Sequence, residues 1–153
     1  LIILSIFFVV IFFIDLDHFI IPNELTFPLM IIGFLKSFDP NINLNLFPSY
    51  MESLIGGAFG YTLIWGIITL YMKIRNKEGM GLGDAKLLSA IGFWFGWYSI
   101  PYVIFLSSLS ALLIALPSLI NKSKSLSSQI PFGPYLIFGT VAYLVVRNYL
   151  TFI

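Results

Sequence analysis

The sequence has no cysteine, a single histidine and few charged residues. Only 10% of its 153 residues are Asp, Glu, Lys or Arg. The lack of cysteine excludes disulfides, thiol catalysis and cysteine-ligated zinc within this sequence, and one histidine argues against a histidine-rich zinc centre. The net charge is +1, and no basic patch is interleaved with aromatic residues. We therefore expect neither a metal site nor a nucleic-acid partner.

The sequence is instead rich in apolar residues. They make up 59% of the chain, and the mean hydropathy is +0.98, whereas a soluble domain carries about 25% charged residues. We predict an all-α membrane protein with a single transmembrane domain over 1–153. The sequence begins at Leu1 and not at Met, and its first run lacks a basic region and a small-residue cleavage site. We expect this run to be the end of a truncated span and not a signal peptide.

Apolar runs separated by polar segments predict the number of membrane spans. A helix needs about 20 apolar residues to cross the hydrocarbon core of a bilayer. The long uncharged stretch 87–121 exceeds one crossing, and we expect Pro101 to divide it. The resulting prediction is a polytopic bundle of about six transmembrane helices. The predicted spans are 1–14, 25–35, 54–72, 85–98, 102–120 and 132–153.

The distribution of Lys and Arg predicts the orientation. With six spans, one side of the membrane receives most of the basic residues, namely Lys73, Arg75, Lys77, Lys86, Lys122 and Lys124. The other side receives Lys36 and Arg147. Because basic residues favour the cytoplasm, we predict a multi-pass protein of the cytoplasmic (inner) membrane. Asp15 and Asp84 then lie on the same, cytoplasmic, side.

Asp15 and Asp84 form the candidate catalytic pair. Asp15 follows the first apolar run, and Asp84 lies in the glycine-rich segment 79–86. Two carboxyls that share a proton serve as base and acid in aspartyl proteolysis, which needs no metal or cofactor. Gly81 and Gly83 leave room for an extended substrate backbone. The simpler alternatives are a helix N-cap for Asp84 and an interfacial charge for Asp15.

Several neighbouring residues have simpler interpretations. Asp17 lies about 200° around a helix from Asp15, so both cannot face one partner. His18 is expected to be solvated, and Lys86 to be an anchor at the membrane interface. Asn23 is expected to cap a helix. The aromatic segment 93–98 is expected to form a belt at the membrane interface.

Three segments together resemble the type IV prepilin peptidases. Segment 15–26 resembles their first aspartate motif, which is Asp, six residues, then Pro and Asp or Asn. Segment 79–88 is similar to their Gly-x-Gly-Asp motif, and 130–136 to the Pro-Phe-Gly-Pro-Tyr segment that opens their last helix. The motif residues that accompany the aspartates are Pro22, Asn23, Gly81, Gly83, Pro131, Phe132, Gly133 and Pro134.

The resemblance implies a function. Asp15 and Asp84 would be the catalytic pair of an aspartic endopeptidase without a cofactor. This enzyme would cleave the basic leader of type IV prepilins and pseudopilins at the cytoplasmic membrane face, so its partners would be a prepilin and the lipid bilayer. Many bacterial members also carry a Cys-x-x-Cys domain and an N-methyltransferase activity. The sequence, which has no cysteine, decides neither methyltransferase activity nor oligomeric state.

Two other functions were considered. An intramembrane protease of the presenilin and signal-peptide-peptidase kind shares the Gly-x-Gly-Asp element. Neither aspartate, however, is centred in a long apolar helix, and the sequence has no Pro-Ala-Leu motif. A small proton-coupled carrier would need ionisable groups within the spans, and the third to fifth spans offer mostly Ser and Thr.

Overall fold

A computed structural model describes residues 1–39, 47–75, 81–120 and 131–150. This part of the chain contains α-helices and no β-strand, which confirms the all-α prediction. The helices are α1 (Ile2–His18), α2 (Asn23–Lys36), α3 (Tyr50–Arg75), α4 (Leu82–Phe95), α5 (Ser99–Ile120) and α6 (Gly133–Leu150).

Each helix corresponds to one predicted span. Among the described residues, however, only Tyr50–Ile74 in α3 is long and apolar enough, by length and composition, to cross a membrane alone. The shorter stretch Ser99–Ala115 in α5 is also apolar. The number of helices in the described part of the chain thus agrees with the prediction.

Helix α4 lies at the centre of the bundle. It contacts α2, α3, α5 and α6, and ten of its 14 residues are buried. A helix that is apolar on all sides is stable only when other elements surround it. Asp84 belongs to this central helix, so its backbone is held from several directions.

Small residues allow α3 to pack closely against α4. A Cβ atom at Gly56 would lie 2.5 Å from the carbonyl oxygen of Gly92, so only glycine fits there. The Ser89 hydroxyl donates to the carbonyl of Gly57 across the same interface, at 2.8 Å. Such close backbone approach through small residues is typical of helix packing in membranes.

A glycine, and not Pro101, separates α4 from α5. Gly96 is the C-cap of α4 with φ +79°, and its N–H donates to the Gly92 carbonyl at 2.8 Å. This left-handed conformation suits glycine and stops the helix. Pro101 lies in the first turn of α5, where a missing N–H is tolerated. The prediction that Pro101 makes the break was wrong.

The aromatic segment 93–98 divides between core and surface. Trp94 and Phe95 are buried, and the Trp94 Nε1–H donates to the Leu29 carbonyl of α2 at 2.8 Å. Trp97 and Tyr98 are exposed. The prediction of an interfacial belt was therefore wrong for Trp94 and Phe95, because Trp94 packs against α2 and the Phe95 ring lies 6.4 Å from the Tyr143 ring of α6.

Helix α1 packs much more sparsely than α4. It contacts α2 and α6 within the described part of the chain. Its buried residues, Leu4, Phe8, Ile11 and Asp15, follow the three- and four-residue spacing of one helix face. Asp15 thus continues the buried face of α1 and points into the bundle.

Candidate active site

Asp15 lies in the last turn of α1 and is 4% exposed. Phe19 ends this helix in a left-handed conformation, with φ 56°, and its N–H donates to the Asp15 carbonyl at 3.0 Å. A positive φ is unfavourable for an aromatic residue. The turn nevertheless directs the chain back towards the bundle immediately after Asp15.

Asp84 lies in the first turn of α4 and is 8% exposed. The N-cap of this helix is Gly81, so the interpretation of Asp84 as the N-cap was wrong. Asp84 is the third helical residue, and its backbone N–H donates to the Gly81 carbonyl at 3.2 Å. A carboxyl in the first turn lies close to the positive end of the helix dipole.

The start of α6 contacts Asp15 directly. The Gly133 N–H donates to Asp15 Oδ2 at 3.1 Å. A Cβ atom at Gly133 would lie 2.5 Å from the same oxygen, so the site accepts only glycine without a shift. Gly133 and Pro134 are buried, while Pro131 and Phe132 are half-buried. Gly133 of the third motif therefore positions the carboxyl of Asp15, which belongs to the first motif.

The Ile21 side chain packs against glycines of the second and third motifs, and the sequence did not indicate this role. A Cβ atom at Gly83 would lie 2.9 Å from Ile21 Cβ, and one at Gly133 would lie 3.1 Å from Ile21 Cδ1. The Ile21 side chain, only 7% exposed, thus lies between these glycines. Its sole signal in the sequence was its position next to Pro22, which does not reveal a contact.

The two glycines beside Asp84 differ in their surroundings. Ile21 occupies the space next to Gly83, so the lack of a side chain there serves internal packing. At Gly81 a Cβ atom would meet no described residue closer than 3.8 Å, and Gly81 is exposed. Of the two glycines, Gly81 leaves the open approach to Asp84.

Both carboxyls have raised pKa values, and both lie outside the predicted spans 1–14 and 85–98. Burial raises the pKa of Asp15, and the hydrogen bond from Gly133 partly offsets this effect. Burial also raises the pKa of Asp84, to about 7; the charge of Asp15 raises it further, and the Gly81 backbone lowers it. The two carboxyls therefore lie close enough to interact electrostatically.

A side-chain hydrogen bond connects the two aspartate motifs. Lys86 Nζ donates to Asn23 Oδ1 at 2.6 Å. Pro22, and not Asn23, is the N-cap of α2, so the expected capping role of Asn23 was wrong. Lys86, which the sequence predicts to be an anchor at the membrane interface, also joins the start of α4 to the start of α2. No pattern in the sequence indicated this pair.

The remaining candidates lie at the edge of the site or outside the described residues. Asp17 and His18 are exposed, while Asp15 on the same helix is buried. This agrees with the prediction that Asp17 and Asp15 cannot face one partner. Gly79, Met80 and Ile130 belong to the quoted motifs but lie outside the described residues.

The described residues offer acid–base chemistry. Within 1–39, 47–75, 81–120 and 131–150, no group of three or more His, Asp or Glu side chains is arranged to hold a metal ion. Two interacting carboxyls with raised pKa values can hold one proton between them. One carboxyl can then activate a water molecule while the other donates a proton.

Comparison with known proteins places this site in a family. The model of the type IV leader peptidase family matches residues 2–116, which include both aspartates. The chain belongs to the type IV leader peptidase family. The segment Pro131–Pro134 lies beyond the part that this model matches.

Curated relatives extend the match towards the end of the chain. A Prepilin leader peptidase/N-methyltransferase from Pseudomonas aeruginosa is 38% identical over 144 residues, which is 91% of this chain and 48% of the relative. The protein of the same name from Xanthomonas campestris is 40% identical over 156 residues, covering 99% of this chain and 53% of the relative. The chain thus spans about half the length of these leader peptidases. No solved structure gives a significant match.

Proposed function

We propose that the chain is a membrane aspartic endopeptidase that removes the basic leader of type IV prepilins and related pseudopilins. Asp15 and Asp84 are its catalytic pair. The observation that carries this proposal is the convergence of Asp15, Gly133, Ile21 and Gly83, which joins all three motifs around two interacting carboxyls. Membership of the type IV leader peptidase family supports it.

The proposed reaction follows from the two carboxyls. A carboxylate accepts a proton from water as the water oxygen attacks the scissile carbonyl, and the protonated partner donates to the carbonyl oxygen. Exposed Gly81 lies beside Asp84 and gives an extended substrate backbone a way in. Neither step requires a metal or a cofactor.

The proposed setting is the cytoplasmic membrane, with the six predicted spans forming one transmembrane domain. Many large apolar side chains are exposed on the helix surfaces, for example Ile6 and Phe13 of α1 and Phe105 of α5. Exposed apolar surface of this extent fits contact with lipid. The excess of basic residues that the sequence predicts on the side of the aspartates supports a site that faces the cytoplasm.

The geometry favours a substrate that is cut at the membrane border. Asp15 and Asp84 lie near helix ends and not at helix centres, so the scissile bond must reach the same level. A prepilin offers a basic leader in the cytosol followed by an apolar helix, and the leader stays on the side of anionic lipid headgroups. The experiment is cleavage of a membrane-inserted prepilin, with the cut position read by mass spectrometry.

Asp15→Asn and Asp84→Asn should each abolish cleavage while the protein remains inserted in the membrane. Asp17→Asn, a change at the exposed carboxyl of the same helix end, is the matched control and should retain substantial activity. Near-normal cleavage by Asp84→Asn would end the protease assignment. Cleavage deep in the apolar segment would instead indicate a presenilin-like protease.

A further inference from the structure

The two carboxyls of the pair receive different backbone support. Asp15 Oδ2 accepts a hydrogen bond from the N–H of Gly133, a residue 118 positions away at the start of α6. For Asp84, the backbone interaction comes from Gly81, at the start of its own helix. Tertiary packing therefore determines the position of the Gly133 N–H at Asp15. The Gly81 backbone, in contrast, is attached to α4 and moves with Asp84.

The fit around Gly133 holds the Asp15 carboxyl in one place. A Cβ atom at position 133 would lie 2.5 Å from Asp15 Oδ2 and 3.1 Å from Asp15 Cγ. The same Cβ atom would lie 3.1 Å from Ile21 Cδ1. The carboxyl therefore cannot approach α6 further, and its oxygen meets a donor that cannot rotate away. A hydrogen bond to a carboxylate is stronger than one to a neutral carboxylic acid.

Few other charges face Asp15. On α1 itself Asp17 and His18 are exposed, and on α2 the nearest ionisable residue in sequence, Glu24, is exposed as well. The charge of Asp15 raises the pKa of Asp84 across the site, and Lys86 donates a hydrogen bond to Asn23. The described start of α6 carries no ionisable side chain before Tyr135. Among the described residues, the Gly133 N–H is thus the fixed hydrogen-bond donor at Asp15.

We propose that Gly133 is a positioning residue that makes Asp15 the charged base of the pair and leaves the proton on Asp84. This assignment of roles rests on the proposed peptidase function. The α6 N–H stabilises a carboxylate at Asp15, while burial at the start of α4 favours the neutral acid at Asp84.

The roles give a balanced reaction. Asp15 takes a proton from water as the water oxygen bonds to the scissile carbon, and Asp84 gives its proton to the carbonyl oxygen. In the tetrahedral intermediate Asp15 is neutral and Asp84 is charged. The carbon–nitrogen bond then breaks: Asp15 returns its proton to the leaving nitrogen, and Asp84 regains one from a hydroxyl of the intermediate. Both carboxyls return to their starting states.

Gly133→Ala is the test, with leader cleavage measured as a function of pH. The added methyl group displaces the Asp15 carboxyl from the amide, so kcat should fall on the order of 10- to 100-fold, the range for losing a hydrogen bond to a charged group, while KM changes little. The acid limb of the kcat profile should move to higher pH, because Asp15 then holds its proton more tightly. Gly66→Ala, where a Cβ would meet nothing within 4 Å, is the control and should change neither limb.

The outcomes separate this proposal from the peptidase assignment. If Asp84→Asn is inactive but Gly133→Ala cleaves with the profile of the unmodified protein, the positioning role is wrong and the peptidase assignment stands. A lower kcat with an unmoved acid limb also overturns the role. Near-normal cleavage by Asp84→Asn overturns the function itself.

A second measurement remains informative if Gly133→Ala does not fold. Carbon-13 NMR of labelled aspartate carboxyls in the unmodified protein follows both groups through pH, and Asp15→Asn and Asp84→Asn assign the signals. The Asp15 signal should change first as pH rises. If the Asp84 signal changes first, the assignment of roles is reversed and the proposal fails.

Discussion

The two halves of the candidate site are held in different ways. Asp84 belongs to α4, which four other helices surround, and its backbone position follows from close packing between α3 and α4. Asp15 belongs to α1, which contacts α2 and α6 in the described chain and presents the rest of its surface outward. A hydrogen bond from Gly133 fixes the Asp15 carboxyl.

This difference predicts that the stability of the fold and the alignment of the two carboxyls depend on different residues. Backbone contacts such as those between Gly56 and Gly92 cannot be relieved by rotating a side chain, so α4 is a rigid base for Asp84. A carboxyl on a sparsely packed helix needs its own support. We therefore expect substitutions near α4 to alter folding, and substitutions around Asp15 to alter catalysis in a folded protein.

The largest effect is expected for Gly92→Ala in the rigid half. A Cβ at this position would collide with the Gly56 carbonyl, and neither backbone can move without separating α3 from α4. We expect a loss of about 3 kcal/mol or more in stability, measured by thermal unfolding in detergent. Gly66→Ala on α3 adds the same methyl group in open space. If both variants melt alike, α4 is not the rigid half.

The next effect concerns pH and Asp84. Its pKa is raised from 3.8 to about 7 by burial and by the charge of Asp15. The folded state thus binds a proton more tightly than the unfolded state, so this group's contribution is fully present below about pH 4 and is lost as pH rises through about 7. Asp84→Asn removes the titration and should be more stable than the unmodified protein at pH 8, by a few kcal/mol.

Melting temperatures measured across this pH range test the direction of the predicted change in stability. The two proteins should melt at similar temperatures at pH 4 and diverge by pH 8, with Asp84→Asn the more stable. Asp17→Asn, at an exposed carboxyl, should follow the unmodified protein. A stability difference that grows towards low pH would contradict the raised pKa of Asp84.

A smaller effect is expected where the two halves meet, at Gly83. In Gly83→Ala the new Cβ would press on Ile21, which also contacts Gly133, so the displacement reaches Asp15. We expect a loss of about 1 kcal/mol in stability, and a fall in kcat that exceeds any rise in KM. Gly83→Val should block cleavage more than substrate binding. A change confined to KM would indicate that Gly83 serves substrate approach and not packing.

The smallest effect is expected for the hydrogen bond between Lys86 and Asn23. Exposed contacts of this kind contribute about 0.2–1 kcal/mol. A double-mutant cycle with Lys86→Met and Asn23→Ala should give a coupling in this range in thermal unfolding. Asn23→Asp keeps an acceptor for Lys86 and serves as the matched variant. Zero coupling would show that this hydrogen bond does not stabilise the junction of the two motifs.

The sequence by itself determined the helices and the family of this protein. Its apolar runs gave each helix to within a few residues, because long uncharged segments between polar ones have no other stable form in a bilayer. Asp15 and Asp84 stood out because few other charged residues compete with them, and three motifs in order indicated the family.

Tertiary structure decided what the apolar pattern could not. The first run is apolar all round, so no periodicity shows which face is buried, and only packing against α2 and α6 turned Asp15 inward. The Gly133 N–H, Ile21 and Lys86 acquired their roles through contacts between distant segments. The boundary at Gly96 depended on a positive φ. Each of these features depends on which helices are neighbours. The local sequence does not encode this, because lipid contact and core packing favour the same apolar residues.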